Sequence, residues 1–121
     1  MTIIRIEHPD TGFGMFESKL DNKRLCYELS NYPQFSNKHA NFPTPYDDSK
    51  INRCIKKYEF CAFKSIYQLQ KWITKKELKE FISMGFKVYA LDVSECIIGK
   101  FQIVFEKKNI TQSKNITLLF S

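Results

Sequence analysis

The stretch "FCAFKSIYQLQKWI", Phe60 to Ile73, decides the fold class, because it joins a strand-like apolar run to a helical pattern through a serine. Ser65 and Gln68 form an S-x-x-Q capping box, and Thr74 and Glu77 form a T-x-x-E box just after it. Because a capping box marks the first turn of a helix, the sequence predicts two short consecutive helices after a short buried strand, "FCAF".

The spacing of apolar residues predicts the buried face of each helix. Gly85 follows the second helix and is expected to serve as its left-handed C-terminal cap. The predicted core positions are Ile66, Leu69, Trp72 and Ile73 in the first helix, and Leu78, Phe81 and Ile82 in the second.

Strand patterns lie on both sides of the helices. "TIIRIE" alternates, so Ile3 and Arg5 share one face of an opening strand, and we expect the opposite face to be the core face. "FKVYALDV" predicts a strand, "CIIGKFQIVF" predicts two strands around a turn at Gly99 and Lys100, and "NITLLF" predicts a last edge strand. The order of elements predicts one α+β domain over residues 1–121.

The segment between the first strand and Phe60 is less regular. Residues 18–30 fit a helix loosely, and residues 32–46, with three prolines, are typical of a long irregular loop. "DDSKINRCIKKYEF" places apolar residues at helical spacing behind an Asp/Ser cap, which predicts a short amphipathic helix.

Composition narrows the protein class. We expect a protein of the host cytoplasm, because no secretory leader and no apolar run long enough to span a membrane is visible. The four cysteines form no C-x-x-C pair, and only His8 and His39 accompany them, so free thiols and no metal are expected. Neither a P-loop, a dinucleotide fingerprint, a zinc-protease helix nor a nucleophile elbow is present.

The polar residues that remain near strand ends are Arg5, His8, Ser65 and Gln102. "RIEH" on the opening strand, "FKSIYQLQKWI" as strand, serine and helix, and "VYALDVSECIIGKFQIVF" with Gln102 together resemble the three-part layout of the ADP-ribosyltransferase fold. The resemblance covers residues 3–8 and 58–105 and implies a split, bent β-structure that holds NAD. "HANFPTPYDD" and the overall length resemble small phage proteins.

The resemblance implies a role for each of these residues. Arg5, with His8 beside it, would contact the ribose or phosphate of NAD, which suits a permanently charged bidentate donor. Ser65 would bind the nicotinamide ribose, and Phe63 or Tyr67 would stack on the nicotinamide. Gln102 stands where the family has its catalytic glutamate, and an uncharged amide would stabilise an oxocarbenium-like transition state poorly, so enzymatic activity stays open.

Each residue also has a structural interpretation. Ser65 is accounted for as a helix N-cap, and Trp72 as a core residue. Arg5 in a half-buried strand is typically paired with an acidic neighbour such as Glu7 or Asp92. Gln102 is equally accounted for as an ordinary strand residue, and His8 before Pro9 as a turn residue.

Three functions follow as hypotheses. The first is an NAD-dependent ADP-ribosyltransferase-like phage protein that modifies a host or defence protein. The second is a non-enzymatic counter-defence inhibitor, of the anti-CRISPR type, that binds a nuclease or effector complex through its surface. The third is a nucleic-acid-binding module, since the net charge is +6 and the pI about 9.1. Its basic surface would consist of Lys50, Arg53, Lys56, Lys57, Lys71, Lys75, Lys76 and Lys79.

Overall fold

The computed structural model describes residues 1–10, 12, 48–53, 56 and 58–120. Two helices and six strands account for most of this part of the chain, which confirms the α+β class. The strands are β1 (Thr2–Glu7), β2 (Glu59–Ala62), β3 (Lys87–Val93), β4 (Ile97–Ile98), β5 (Ile103–Glu106) and β6 (Ile110–Asn115). The helices are α1 (Ile66–Trp72) and α2 (Lys75–Ser83).

The strands form two antiparallel sheets of three strands each. The strand order is β1-β3-β6 in the first sheet and β2-β5-β4 in the second. An isolated bridge between Ile4 and Phe63 connects them, with N···O distances of 2.8 and 2.7 Å in the two directions. This bridge places the end of β2 beside the middle of β1, and α1 starts only three residues after Phe63.

Both faces of β1 are buried, whereas the alternating sequence predicted only one core face. Ile4 and Ile6 pack with residues of α1 and α2, including Trp72. Ile3 packs instead with residues of the second sheet, including Ile103. Because Arg5 shares the face of Ile3, it is enclosed as well, and only 2% of it is exposed. The second sheet, which covers this face, supplies the burial that a one-strand pattern does not reveal.

The two helices begin and end where the capping residues predict. Ser65 Oγ accepts a hydrogen bond from the N–H of Gln68 at 3.1 Å, and Thr74 and Glu77 form both halves of a capping box. The helices bury Leu69, Trp72, Ile73, Leu78 and Phe81, while Ile66 and Ile82 are partly buried. Gly85, with φ +100°, follows the second helix in the left-handed conformation expected for it.

The predicted amphipathic helix after residue 47 is wrong in its described part. Residues 48–53 form turns, because the Asp48 carboxylate accepts from the Lys50 N–H while the Asp48 carbonyl accepts from Ile51 and Asn52. Asn52 then adopts a positive φ of 49°, which a continuing α-helix does not allow.

The predicted last strand is also wrong, because the strand lies one segment earlier. Polar β6 ends at Asn115, whose side-chain oxygen accepts from the Thr117 N–H at 3.0 Å. Thr117 Oγ1 in turn accepts from the Val88 N–H at 3.0 Å, where a strand would offer a backbone carbonyl. The chain then forms a short 3-10 helix, Thr117–Phe120, that leaves Leu118 and Leu119 exposed.

The predicted helix over residues 18–30, the loop over residues 32–46, and Cys26, His39, Cys54 and Lys57 lie outside the described residues. Within the described part of the chain, both helices are too short to cross a lipid bilayer.

Candidate functional site

The Arg5 side chain is held by groups from three parts of the chain. Its Nη1 donates to the Cys61 carbonyl at 2.6 Å and its Nη2 to the Gly12 carbonyl at 3.2 Å. Its Nε donates to Glu7 Oε1 at 2.9 Å, in agreement with the acidic partner that the sequence predicted. All three sets of guanidinium N–H donors therefore have a protein acceptor.

Aromatic rings and a second cation complete this buried cluster. The Arg5 guanidinium carbon lies 5.0 Å from the centre of the Phe60 ring and 5.8 Å from that of Phe105. Lys107 Nζ lies 2.8 Å from Glu7 Oε1 and 3.2 Å from the Gly12 carbonyl, and it stands over the same Phe60 ring at 4.5 Å. Glu7 thus balances two cations, and the rings give Arg5 a favourable low-polarity contact.

His8 lies beside this cluster and packs against the end of α2. Its ring meets Phe86 edge to face, with 5.3 Å between ring centroids, and its Nδ1 accepts from the Asp10 N–H at 3.3 Å. A Cβ on Gly85 would lie 2.8 Å from His8 Nε2, which accounts for glycine there beyond its positive φ. These contacts are those of a turn residue packed against its neighbours.

Ser65 is exposed and its hydroxyl caps α1. The predicted capping box is modified here, because Gln68 Oε1 accepts from the N–H of Lys64 at 2.7 Å, one residue before the cap. The two aromatic residues predicted to stack on a nicotinamide differ. Phe63 is buried against Trp72, with 5.5 Å between ring centroids, whereas Tyr67 is 68% exposed.

Gln102 is buried and directly precedes β5, next to the predicted hairpin turn. Its carbonyl accepts from the Gly99 N–H at 2.8 Å, which closes the turn. Asp48, which is fully buried, accepts from the N–H groups of Lys100 and Phe101 at 2.9 Å each. Burial would raise the pKa of Asp48, but these backbone donors, with those of Lys50 and Ile51, lower it below its ordinary value.

The structure brings together the strands that carry the predicted site residues, but it gives the residues different neighbours. β1 meets the end of β2 through the Ile4–Phe63 bridge, and β2 pairs along its length with β5. Arg5 lies over the rings of Phe60 and Phe105, and Phe105 is near the C-terminal end of β5. Gln102 lies just before the N-terminal end of the same strand. Ser65 faces solvent at the start of α1.

The chain matches a family of bacteriophage proteins. A family model described as "Bacteriophage T4 Y00F protein" matches residues 1–119. The chain belongs to the bacteriophage T4 Y00F protein family. A relative in Enterobacteria phage T4, described as a 19.7 kDa protein in the motB-dexA intergenic region, is 30% identical over 118 residues. That alignment covers 76% of this chain and 70% of the relative.

Membership of the Y00F family confirms the predicted relation to phage proteins. No solved structure matches the chain significantly. The resemblance to the ADP-ribosyltransferase fold, and the roles it implies for Arg5, Ser65 and Gln102, therefore stay predictions.

Two acidic residues with structural roles were not found from the sequence. Asp48 accepts hydrogen bonds from the backbone of the β4–β5 turn, as described above. Glu59 accepts two hydrogen bonds from Arg53, of 2.7 and 2.8 Å. The hydrogen bonds from Arg53 lower the pKa of Glu59 to about 2, against the opposing effect of burial. The only sequence signal for the pair is Arg53 six residues before Glu59, which no helix or strand period would bring together.

The helices present a basic surface. Lys71, Lys75, Lys76 and Lys79 are all exposed. Of the predicted basic residues, Arg53 forms an ion pair with Glu59, and Lys50 and Lys56 lie outside the helices.

As for metals, the described stretches bring no three His, Cys, Asp or Glu side chains together as a metal site would require.

Proposed function

We propose that this chain is a non-enzymatic protein encoded by a bacteriophage. It would inhibit a nuclease or effector complex of host defence by binding to part of the surface of that complex. The observation that carries the proposal is the engagement of Arg5. The residue that the NAD hypothesis needs as a phosphate or ribose ligand has all three sets of donors bound to Glu7, Cys61 and Gly12.

The burial of Arg5 turns this observation into an energetic argument. An arginine that is 2% exposed offers no face to a dinucleotide unless β1 separates from β2 or the Gly12 turn moves away. Separating Arg5 from Glu7 and from the two carbonyls costs about 1 kcal/mol for each interaction, which NAD binding would have to offset before any net affinity appeared. A structural role for Arg5 has no such cost.

Charge restricts the kind of inhibition. A protein that blocks a nuclease by imitating nucleic acid needs negative charge, because complementary potentials attract and like charges repel. This chain has a net charge of +6, so its partner surface is expected to be acidic. The relevant defence complexes are those that expose an anionic face.

NAD-dependent transfer to a host or defence protein is the second candidate. It is favoured by the adjacency of β1, β2 and β5, because these are the elements on which the family resemblance places its arginine, serine and glutamate. Gln102 weakens it, since the amide lacks the charge that would stabilise the transition state. NAD would be the cofactor in this case.

The test is inhibition by purified protein in the absence of NAD. A tagged chain is expressed in the phage host, and the partner that elutes with it at fixed stoichiometry is purified. We expect the chain to reduce the activity of this partner without NAD, with the partner mass unchanged, and the Ser65→Ala variant to inhibit equally well. Inhibition that requires NAD and adds an ADP-ribose mass to the partner would instead establish the second candidate.

A further inference from the structure

We propose that the exposed face of α1 and α2 binds single-stranded nucleic acid. We use the term lysine face for the exposed residues Lys71, Lys75, Lys76 and Lys79 together with Tyr67. The inference stands independently of the protein partner proposed above, because it depends only on the charges and the ring exposed on these helices.

The charge of the lysine face is not neutralised within the described part of the chain. None of its four lysines forms an ion pair with a described carboxylate. The two acidic residues of α2 are less accessible than these lysines. Glu77 is buried and forms the capping box with Thr74, and Glu80 is only half-exposed. The face therefore presents positive charge to a partner and attracts a polyanion.

Three other basic residues, Arg53, Lys107 and Lys108, are already paired with carboxylates. Arg53 is bound to Glu59, Lys107 to Glu7 and Lys108 to Glu106 at 3.0 Å. A phosphate would have to compete with a carboxylate at each of these positions. The lysine face needs no such exchange, which distinguishes it from these three positions.

Tyr67 adds a feature that selects the kind of polyanion. The ring is 68% exposed and Lys71 Nζ lies 4.6 Å from its centre. A base that is not paired in a duplex can stack on such a ring while the neighbouring lysine meets its phosphate. Bases inside a duplex have no free face to offer, so this pairing of ring and lysine favours a single strand over a double helix.

The spacing of the lysines suits a chain of phosphates. Lys75 and Lys79 lie one turn apart on α2, about 6 Å along the helix axis. A flexible single strand is not held to duplex geometry and can place two of its phosphates at this separation. The two ammonium groups can therefore contact different phosphates of one strand. Lys71 adds a further positive charge beside the Tyr67 ring.

The experiment measures binding of a fluorescein-labelled oligothymidylate of about 15 nucleotides by fluorescence anisotropy. Neutralisation of four phosphates predicts a slope of log affinity against log salt of about −2.8, so affinity should fall about 50-fold between about 50 and about 200 mM salt. Replacing Lys75, Lys76 and Lys79 by Gln should reduce the slope to about −0.7. Tyr67→Leu should weaken binding at least about fivefold, whereas Tyr67→Phe should keep it.

A matched control separates a specific face from overall charge. Replacing Lys87, Lys100 and Lys114 by Gln removes the same three charges from positions outside the helices and should leave the slope near −2.8. Thermal unfolding of both triple variants verifies that they are folded. No binding at about 50 mM salt, equal losses in the two triple variants, or tighter binding of a duplex of the same length would each overturn the proposal.

Discussion

Replacing Arg5 by Met should destabilise the protein strongly, because the guanidinium joins β1, β2 and the turn at Gly12. Met fills much of the space of the arginine stem but donates no hydrogen bond. The Cys61 and Gly12 carbonyls would each lose a donor, and among its described partners Glu7 would keep Lys107, at 2.8 Å. The substitution thus tests the structural role of Arg5 directly.

The structure sets the expected magnitude. The two carbonyls lie on half-buried residues, so water can replace part of each lost bond, which leaves a cost of about 1 kcal/mol apiece. Losing one of its two cations costs Glu7 about 1 kcal/mol, since it is 19% exposed and keeps the other cation. With the contacts to Phe60 and Phe105 also lost, the free energy of unfolding should fall by about 3–4 kcal/mol.

Urea unfolding followed by the fluorescence of Trp72 provides the assay. Trp72 is the only tryptophan, is 7% exposed, and donates from Nε1 to the Phe101 carbonyl at 3.1 Å, so its emission should change on unfolding. A loss of 3–4 kcal/mol lowers the urea midpoint by about 1–4 M. Lys107→Met is the control, and it should cost at most about 1 kcal/mol because this side chain is 38% exposed.

The reasoning would be refuted if Arg5→Met unfolded at the same urea concentration as the unmodified protein, or if Lys107→Met were equally damaging. The first result would mean that Arg5 contributes nothing to the fold and is available to a ligand. The second would mean that the cluster is held by its exposed member.

Three further changes have defined outcomes. The pKa of Glu59 is lowered from 4.5 to about 2 in the folded protein. Its contribution to the free energy of unfolding is therefore complete above about pH 5 and is lost as the pH falls toward 2. Glu59→Gln should flatten the dependence of the urea midpoint on pH in that range. Asp48→Asn replaces a charged acceptor of backbone N–H groups, and should lower thermal stability, measured by circular dichroism, by about 2–3 kcal/mol. Ser65→Ala should cost about 0.5–2 kcal/mol and Ser65→Gly only a few tenths, as expected of an N-cap.

Local patterns in the sequence predict much of the secondary structure. The alternation in "TIIRIE" and "FKVYALDV" predicts β1 and β3, and the two capping boxes predict the starts of α1 and α2 within a residue. These signals succeed because each depends on residues within one turn or one strand. The polar strand β6 is missed, since five of its six residues are exposed and no apolar alternation marks it.

The candidate site depends on distant parts of the chain, and for that reason the sequence predicts it only in part. Glu7, two residues from Arg5 on the same strand face, is a local partner and was predicted. The Cys61 carbonyl, 56 residues away, and Lys107 follow from the pairing of β2 with β5 and from the bridge at Ile4. No local pattern reveals that a second sheet covers the face of β1 that holds Arg5.

A thermal-shift titration with NAD tests the central claim, that the chain is a binding protein without a dinucleotide site, most directly. The account predicts no saturable change of the melting temperature at about 1 mM NAD. A site with a Kd of about 10 μM would instead stabilise the fold by about 2.7 kcal/mol under these conditions. A saturable rise of about 10 °C, lost when Ser65 is replaced by Ala, would contradict the account and place NAD at the predicted site.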